Sequence, residues 1–310
     1  MKLISIVTPC YNEEENVEEI YKEIKKIFSH LPKYKYEHIF IDNASSDSTV
    51  SILKKIAQKD RHLKIIVNAR NFGWIRSPFY AMLQAKGDAV VLLVADLQDP
   101  PPLIKNFIAK WEEGYKVVIG VKTGSEENWF MRTLRGSFYK FVSKISEIEL
   151  VNNFMGFGLY DRKVIEVLRQ MDDSYPYFRG LVAEIGFEMA KIEYKQSARK
   201  RGLPSSNFYR LLDVAILGIT SYSRAPLRLM TVMGMILSVI SLLIAVVYIF
   251  LKIFLWSNYS LGIATLVIGF FFFSSVQLFF IGIIGEYIGI IHTRLLKRPL
   301  VIEKERINFD

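Results

Sequence analysis

Cysteine is almost missing: Cys10 is the single thiol in 310 residues, so an internal disulfide and a cysteine-rich zinc site are both excluded. With 51% hydrophobic residues and no disulfide framework, neither a disordered chain nor a stapled secreted scaffold fits. Charge is missing over two long stretches. No charged residue occurs from Leu229 to Leu251 or from Ile253 to Gly285, and only Lys252 stands between them. The formal charge of +9 comes without a helix-turn-helix, RNA-binding or zinc-finger pattern, and the basic residues cluster beside the apolar stretches, so nucleic acid is not an expected partner. Residues 3–9 are too short for a signal-peptide core and run into Glu13-Glu14-Glu15, which predicts no cleaved leader. There is no internal repeat, and low complexity is confined to Gly269-Phe270-Phe271-Phe272-Phe273.

The 23 residues Leu229–Leu251 would form a helix about 35 Å long, enough to cross the hydrocarbon of a bilayer. Leu261–Gly285 reads the same way, and the short link Lys252–Ser260, with Trp256 and Tyr259, makes the pair a helical hairpin. A buried core helix is the alternative, but charge-free runs above about 18 residues rarely serve as one. Arg224 and Arg228 precede the first run, Arg294, Lys297 and Arg298 follow the second, and the tip carries only Lys252. That asymmetry predicts a multi-pass membrane protein with both termini cytoplasmic. Gly262 and Gly269 would let helices approach closely, which allows a homo-oligomer.

The first 200 residues alternate short apolar runs with amphipathic helical patterns. Strands are predicted at Leu3–Thr8, Tyr36–Ile41, Leu63–Val67, Ala89–Ala95 and Lys116–Val121, and helices at Asn16–Phe28, Ser48–Gln58 and Ser77–Ala85. The order predicts an α/β domain with a mostly parallel sheet covered on both faces. Such sheets bind ligands at the carboxyl ends of their strands. Three acidic loops fall there: Pro9–Glu14, Asp42–Thr49 and Asp96–Pro101. Carboxylates repel a bare diphosphate, so a nucleotide site here requires a divalent cation, Mg²⁺ or Mn²⁺, to which Asp96 and Gln98 could both present oxygens. Asp42 could accept from a base or ribose. Asp47 or Ser48 reads equally as a helix N-cap, and Asp99 before Pro100-Pro101 as the start of a turn. Cys10 is a packing residue, since no paired histidine is identifiable.

These residues resemble the family 2 (GT-A fold) glycosyltransferases, and within them the polyprenyl-phosphate glycosyltransferases such as bactoprenol glucosyltransferases and dolichyl-phosphate mannose synthase. The similarity runs through the three loops, Arg70-Asn71-Phe72-Gly73, Gly114–Gly120, Gly218–Leu229 and Gly285-Glu286-Tyr287. It implies a GT-A domain over residues 1–200, a basic juxtamembrane segment over 201–228, two spans within 229–291 and a cytoplasmic tail over 292–310, in the cytoplasmic (inner) membrane. It implies a nucleotide-diphosphate sugar donor, UDP-hexose above all, and polyprenyl phosphate, undecaprenyl or dolichyl, as acceptor. Pro9, Tyr11, Asn12, Glu13, Asp42, Asn71, Asp96 and Gln98 match donor-binding positions, Asp96 and Gln98 the metal, and Asp96 and Asp99 the catalytic positions. Arg132 and Arg135, in a segment Trp129–Ile145 resembling an interfacial helix, and Arg199 and Arg201, in a basic loop, match positions that meet the acceptor phosphate. The basic cluster Lys195, Arg199, Lys200, Arg201, Arg210, Arg224 and Arg228 is equally accounted for by topology beside anionic lipid.

Four positions depart from the usual pattern. Asp42-Asn43-Ala44-Ser45 stands for Asp-Asp-Gly-Ser, and Val94-Ala95-Asp96 for Asp-Ala-Asp. Met155-Gly156-Phe157-Gly158 stands for Gly-Asp-Phe-Arg, and the basic loop continues Gly202-Leu203-Pro204-Ser205 instead of Gly-x-Ser/Thr-Lys. The losses raise an alternative, a catalytically impaired scaffold or regulatory subunit of membrane glycan assembly. A processive polysaccharide synthase is not expected: Trp74, Trp111, Trp129 and Trp256 lack a Gln-x-x-Arg-Trp context, and two spans cannot enclose a channel alone.

Overall fold

A computed structural model describes residues 1–123, 151–197, 217, 218, 220, 222–254 and 263–309. In chain order these form β1 (Lys2–Cys10), α1 (Val17–Ser29), β2 (Tyr34–Asp42), α2 (Thr49–Ala57), β3 (Leu63–Asn68), α3 (Gly73–Gln84), β4 (Ala89–Leu92), α4 (Ile104–Glu112) and β5 (Val117–Lys122). There follow β6 (Phe154–Asp161), α5 (Arg162–Met171), α6 (Phe178–Glu184), β7 (Met189–Tyr194), α7 (Ala225–Phe254), α8 (Ile263–Leu295) and β8 (Glu303–Ile307). The strands make one sheet in the order β7-β5-β6-β4-β1-β2-β3-β8. The block β4-β1-β2-β3 is parallel, β6 runs antiparallel to both β4 and β5, and β8 runs antiparallel to β3.

Strands inside a parallel sheet are buried on both faces, so β1, β2 and β3 are nearly continuous apolar runs rather than alternating ones. The amphipathic α1 lays Val17, Ile20, Ile24, Ile27 and Phe28 on one face of the sheet, while Phe79, Ala81 and Met82 of α3 and Val164, Ile165 and Leu168 of α5 cover the other. Two boundaries differ from expectation. The fourth strand ends at Leu92 rather than Ala95: Leu93 N–H still reaches Val7 O of β1 at 2.9 Å, and the chain leaves the sheet after it. The third helix starts at Gly73, not Ser77, and holds Pro78 within it, the Gly73 N–H being taken by Asn71 Oδ1 at 2.8 Å.

The parallel register is what assembles the site. Cys10 pairs with Asp42, and Asp42 with Val67, so three strands end level and their loops leave from one edge. Segment 292–310 is more than a tail: β8 caps the β3 edge, with Ala69 N–H on Ile302 O at 2.8 Å, Lys54 Nζ on Glu305 at 2.6 Å, and Asn308 Nδ2 on Ala57 O and Leu63 O at 3.0 and 2.9 Å. Helices α7 and α8 are each long and apolar enough to cross a membrane, and their apolar windows are 6% and 0% buried.

Candidate functional site

The first two loops are stitched together by backbone N–H groups. Asn12, at φ 54, donates its N–H to Ser45 Oγ at 2.9 Å, and its Oδ1 accepts from Ser46 N–H at 2.9 Å. Glu13 N–H meets Thr49 Oγ1 at 2.9 Å, Glu14 N–H meets Asp47 Oδ2 at 3.1 Å, and Ser48 N–H returns to Glu14 Oε2 at 2.8 Å. Asp47, rather than Ser48, caps α2, its Oδ1 accepting from Thr49 N–H at 3.0 Å. Asp42 closes its own turn: it is fully buried, with Oδ2 accepting from Ser45 N–H at 2.9 Å and Oδ1 from the Ser45 hydroxyl. Burial pushes the Asp42 carboxyl up and the Ser45 bonds pull it back. Glu13 is buried, Pro9 half-buried and Tyr11 45% exposed at the mouth. Cys10 packs in the core, its thiol pushed well up by burial and then by Asp42.

Asn43 joins the second loop to the segment that follows β3 and leads into α3. Its Oδ1 accepts from Phe72 N–H at 2.9 Å and Asn68 Nδ2 at 3.1 Å, while its Nδ2 donates to Asn71 Oδ1 at 2.9 Å and Gly73 O at 3.2 Å. The Phe72 N–H can only donate, so the amide orientation is fixed. Nothing in the local sequence marks Asn43 as this junction; it stood out only as a departure from an aspartate. Asn71 acts here by holding the amide and the start of α3.

The Asp96 loop carries the metal candidates. Asp96 Oδ1 accepts from Gln98 N–H at 3.2 Å across Leu97, whose φ is 55, and both side chains are half-buried. Among the described residues no group of three or more His, Cys, Asp or Glu gathers to cage an ion. One carboxylate and one amide oxygen, both hard ligands, fit Mg²⁺ or Mn²⁺ completed by a substrate's phosphates, and fit a softer metal poorly. Asp99 neither caps a helix nor lies open: it is buried and accepts from the Tyr194 hydroxyl at 2.5 Å. Burial raises its pKa, against Tyr194 and Lys122, which lower it. Gln98 O also receives Ser197 N–H at 3.2 Å, so the end of β7 is bound to the metal loop. Tyr194, in a strand with charged neighbours, carried no signal that sequence reasoning used.

The departures have backbone causes. Gly156 has φ +106, in the region L side chains rarely adopt, and a Cβ at Gly158 would stand 2.5 Å from Val118 O. Neither position accepts the usual aspartate or arginine without moving β6. Val94 is 39% exposed beside Ala95 and Asp96. Arg132, Arg135, Arg199, Arg201 and the segment Trp129–Ile145 lie outside the described residues.

Helix α3, which follows the β3 end, also connects to the apolar helices. Ile75 of α3, Tyr175 and Ile290 of α8 each pack against a buried cluster of Tyr177, Leu217 and Tyr222. Around this cluster Tyr287 Oη donates to Ser223 O at 2.8 Å, and Arg294 pairs with Asp173 at 3.2 Å. The helix that follows β3 and a candidate membrane helix therefore pack against one apolar cluster.

Residues 5–169 match the sequence profile described as glycosyl transferase family 2. An uncharacterized glycosyltransferase of Bacillus subtilis (strain 168) is 36% identical over 99% of this chain and 94% of its own. The SfII prophage-derived bactoprenol glucosyl transferase of Shigella flexneri is 33% identical over 97% of both chains. A solved mannosyltransferase from Pyrobaculum calidifontis, in complex with GDP-Man and Mn²⁺, is similar with a TM-score of 0.49 and 16% identity over 95% of this chain and 87% of that one. With its level strand ends, its acidic loops and a profile match across more than half its length, the chain belongs to glycosyl transferase family 2 and is a glycosyltransferase.

Proposed function

We propose that the chain moves one hexose, with inversion, from a nucleotide-diphosphate sugar to polyprenyl phosphate at the inner face of the cytoplasmic membrane, both termini lying in the cytoplasm. UDP-hexose is the donor class, and undecaprenyl or dolichyl phosphate the acceptor. One observation carries the reading: the loop that closes the donor edge continues into α3, whose Ile75 shares a cluster with Ile290 of the apolar α8. A lipid acceptor keeps its phosphate at the bilayer surface, so a site that serves it must be held there. The bactoprenol glucosyl transferase relatives, similar over nearly the whole chain, support the same acceptor.

In the reaction an acceptor phosphate oxygen attacks the anomeric carbon, the bond from that carbon to the donor diphosphate breaks, and the nucleoside diphosphate leaves with the electron pair. A phosphate monoester has a second pKa of about 6, so the nucleophile is already ionised at neutral pH and a protein base is not compulsory. That makes Val94 and Gly156 compatible with transfer. Asp96 and Gln98 would hold Mg²⁺ or Mn²⁺ against the donor diphosphate, and the ion would offset the charge that develops on the leaving group. Pro9, Tyr11, Asn12 and Glu13 line the nucleoside side, Asp42, Asn43 and Asn71 hold the loops in register, and Asp99 anchors the metal loop to β7. Arg132, Arg135, Arg199 and Arg201 are assigned to the acceptor phosphate by their place in sequence.

The test is incubation of membranes containing the full chain with polyprenyl phosphate, Mn²⁺ and a panel of labelled nucleotide sugars. A labelled, lipid-extractable product that vanishes with EDTA and returns with added Mn²⁺ is expected. No lipid-linked sugar from any donor refutes the proposal.

A further inference from the structure

Outside α7 and α8, and beyond Met1, the exposed large apolar side chains among the described residues are Tyr11, Trp74, Val94, Met155, Leu296 and Ile302. The first four stand at the carboxyl edge of the sheet, and the last two on the link from α8 to β8. Trp74 is the largest of them and is 55% exposed. It lies in the first turn of α3 beside Ile75, which packs against the same buried cluster as Ile290 of α8. Ile290 follows Gly285, the end of the charge-free run, by five residues, or about 7.5 Å along the axis. On the membrane reading above, on which this inference rests, that is the level of the lipid headgroups. Helix geometry sends Trp74 and Arg76 out about 100° to either side of Ile75. Arg76 is half-buried, its guanidinium 5.2 Å from the centre of the Tyr175 ring, which packs against that cluster too. It makes no hydrogen bond or ion pair with a described residue. Asp173, two residues before Tyr175, is taken by Tyr175 N–H at 2.9 Å and by Arg294 at 3.2 Å.

A tryptophan at that level has a reason to be uncovered, because an indole with an apolar body and one N–H is at home in the headgroup layer. A guanidinium close by, stacked on a ring and short of acceptors, matches a lipid phosphate in both charge and donors. Exposed apolar side chains on a water-facing surface are scattered singly, whereas here they gather on the part of the domain that meets α8. We propose that the start of α3 docks on the bilayer itself, with Trp74 in the headgroup layer and Arg76 on a phospholipid phosphate. The two contacts would hold the carboxyl edge of the sheet at a fixed height over the membrane, with Tyr11, Val94 and Met155 on the same edge.

The test uses the full chain with Cys10→Ser in vesicles of phosphatidylethanolamine and phosphatidylglycerol, carrying a nitroxide on Trp74→Cys or on Lys59→Cys. Lys59 is exposed where α2 leads into β3, at the opposite edge of the sheet. Relative to a water-soluble nickel chelate, the nitroxide at position 74 is expected to collide with oxygen several-fold more than the one at position 59. Adding Arg76→Gln is expected to lower the docked population about five-fold, and Arg76→Lys to restore most of it. In the native chain, phospholipid brominated near the headgroup is expected to quench the emission that Trp74→Phe removes. Equal collision ratios at the two positions, or shielding of position 74 from both reagents, overturns the docking. Lipid contact that appears only after polyprenyl phosphate is added overturns it in favour of the acceptor, and an Arg76→Gln chain that docks like its parent overturns the phosphate contact. Carbonate extraction of the same vesicles separates the two readings: release of the chain overturns the membrane reading and this one with it, whereas retention with position 74 in water overturns the docking alone.

Discussion

Asn43→Asp is nearly isosteric and restores the residue more usual in relatives, yet it is predicted to damage this chain. The carboxylate keeps the two bonds in which Asn43 accepts, from Phe72 N–H and Asn68 Nδ2, and loses the two in which it donates. It then faces Asn71 Oδ1 and Gly73 O, two acceptors it cannot satisfy. Rotating the Asn71 amide recovers one contact, but withdraws its oxygen from Gly73 N–H, now bonded at 2.8 Å. At about 1 kcal/mol for each of two lost bonds, with some repulsion added, the junction loses about 2–3 kcal/mol. If the closed loops are the form that binds donor, the loss emerges as a rise in donor KM of at least about 30-fold, with kcat at saturating donor much less affected. Steady-state kinetics with varied donor measures it. Protonating the new acid returns one donor, so the KM ratio to wild type should shrink as the assay pH is lowered toward about 5. An unchanged KM, or a ratio flat with pH, would refute the assignment of Asn43 as the polar junction of these loops.

Asp96→Ala is expected to lower transfer by more than about 100-fold while leaving the chain in the membrane fraction; retained transfer would remove Asp96 from the chemistry. Gly158→Arg, which also restores a family residue, places a Cβ 2.5 Å from Val118 O and is expected to unfold the domain rather than improve it, read as loss of protease-resistant protein. Asp60 accepts from Lys25, Tyr21 and His62; burial alone would raise its pKa, but those bonds outweigh burial and hold it below the usual carboxylate range. A depressed folded pKa contributes stability that is present above the unfolded value of 3.8 and fades as pH falls through the folded one. Asp60→Asn should therefore be about 1–2 kcal/mol less stable than wild type at pH 7, and the gap in denaturation midpoints should close below about pH 4; a gap independent of pH would contradict the ionic origin.

The strands that place the site were legible because burial on both faces writes a parallel strand as a plain apolar run, bounded in each case by its polar loop. β6 was missed because Gly156 and Gly158 interrupt the run, and the segment read as a motif. β7 and β8 escaped for a different reason: Lys191, Glu193, Glu303, Lys304, Glu305 and Arg306 are the charges that protect sheet edges, and in sequence they look like loop or tail. Within the site, Asp96 and Gln98 stand out in sequence by their spacing of two, and the structure joins them through the Gln98 backbone N–H on Asp96 Oδ1. Asn43 and Tyr194 could not. Their roles lie wholly in partners, Asn71 and Gly73 for one and Asp99 for the other, that only the sheet register brings within reach.

The same distinction decides how the altered motif should be weighed. Seen as letters, Gly156 and Gly158 are deletions of an aspartate and an arginine, which is the argument for an impaired enzyme. Seen in the chain, Gly156 occupies a left-handed backbone position, and Gly158 has carbonyl oxygen where a side chain would begin. The carbonyl of Gly156 moreover accepts from the Tyr160 hydroxyl at 2.7 Å, inside a core that includes Leu92 and Phe154. The backbone of β6 as it stands accepts neither side chain, so their absence follows from the geometry of the strand and is not by itself an argument for an impaired enzyme.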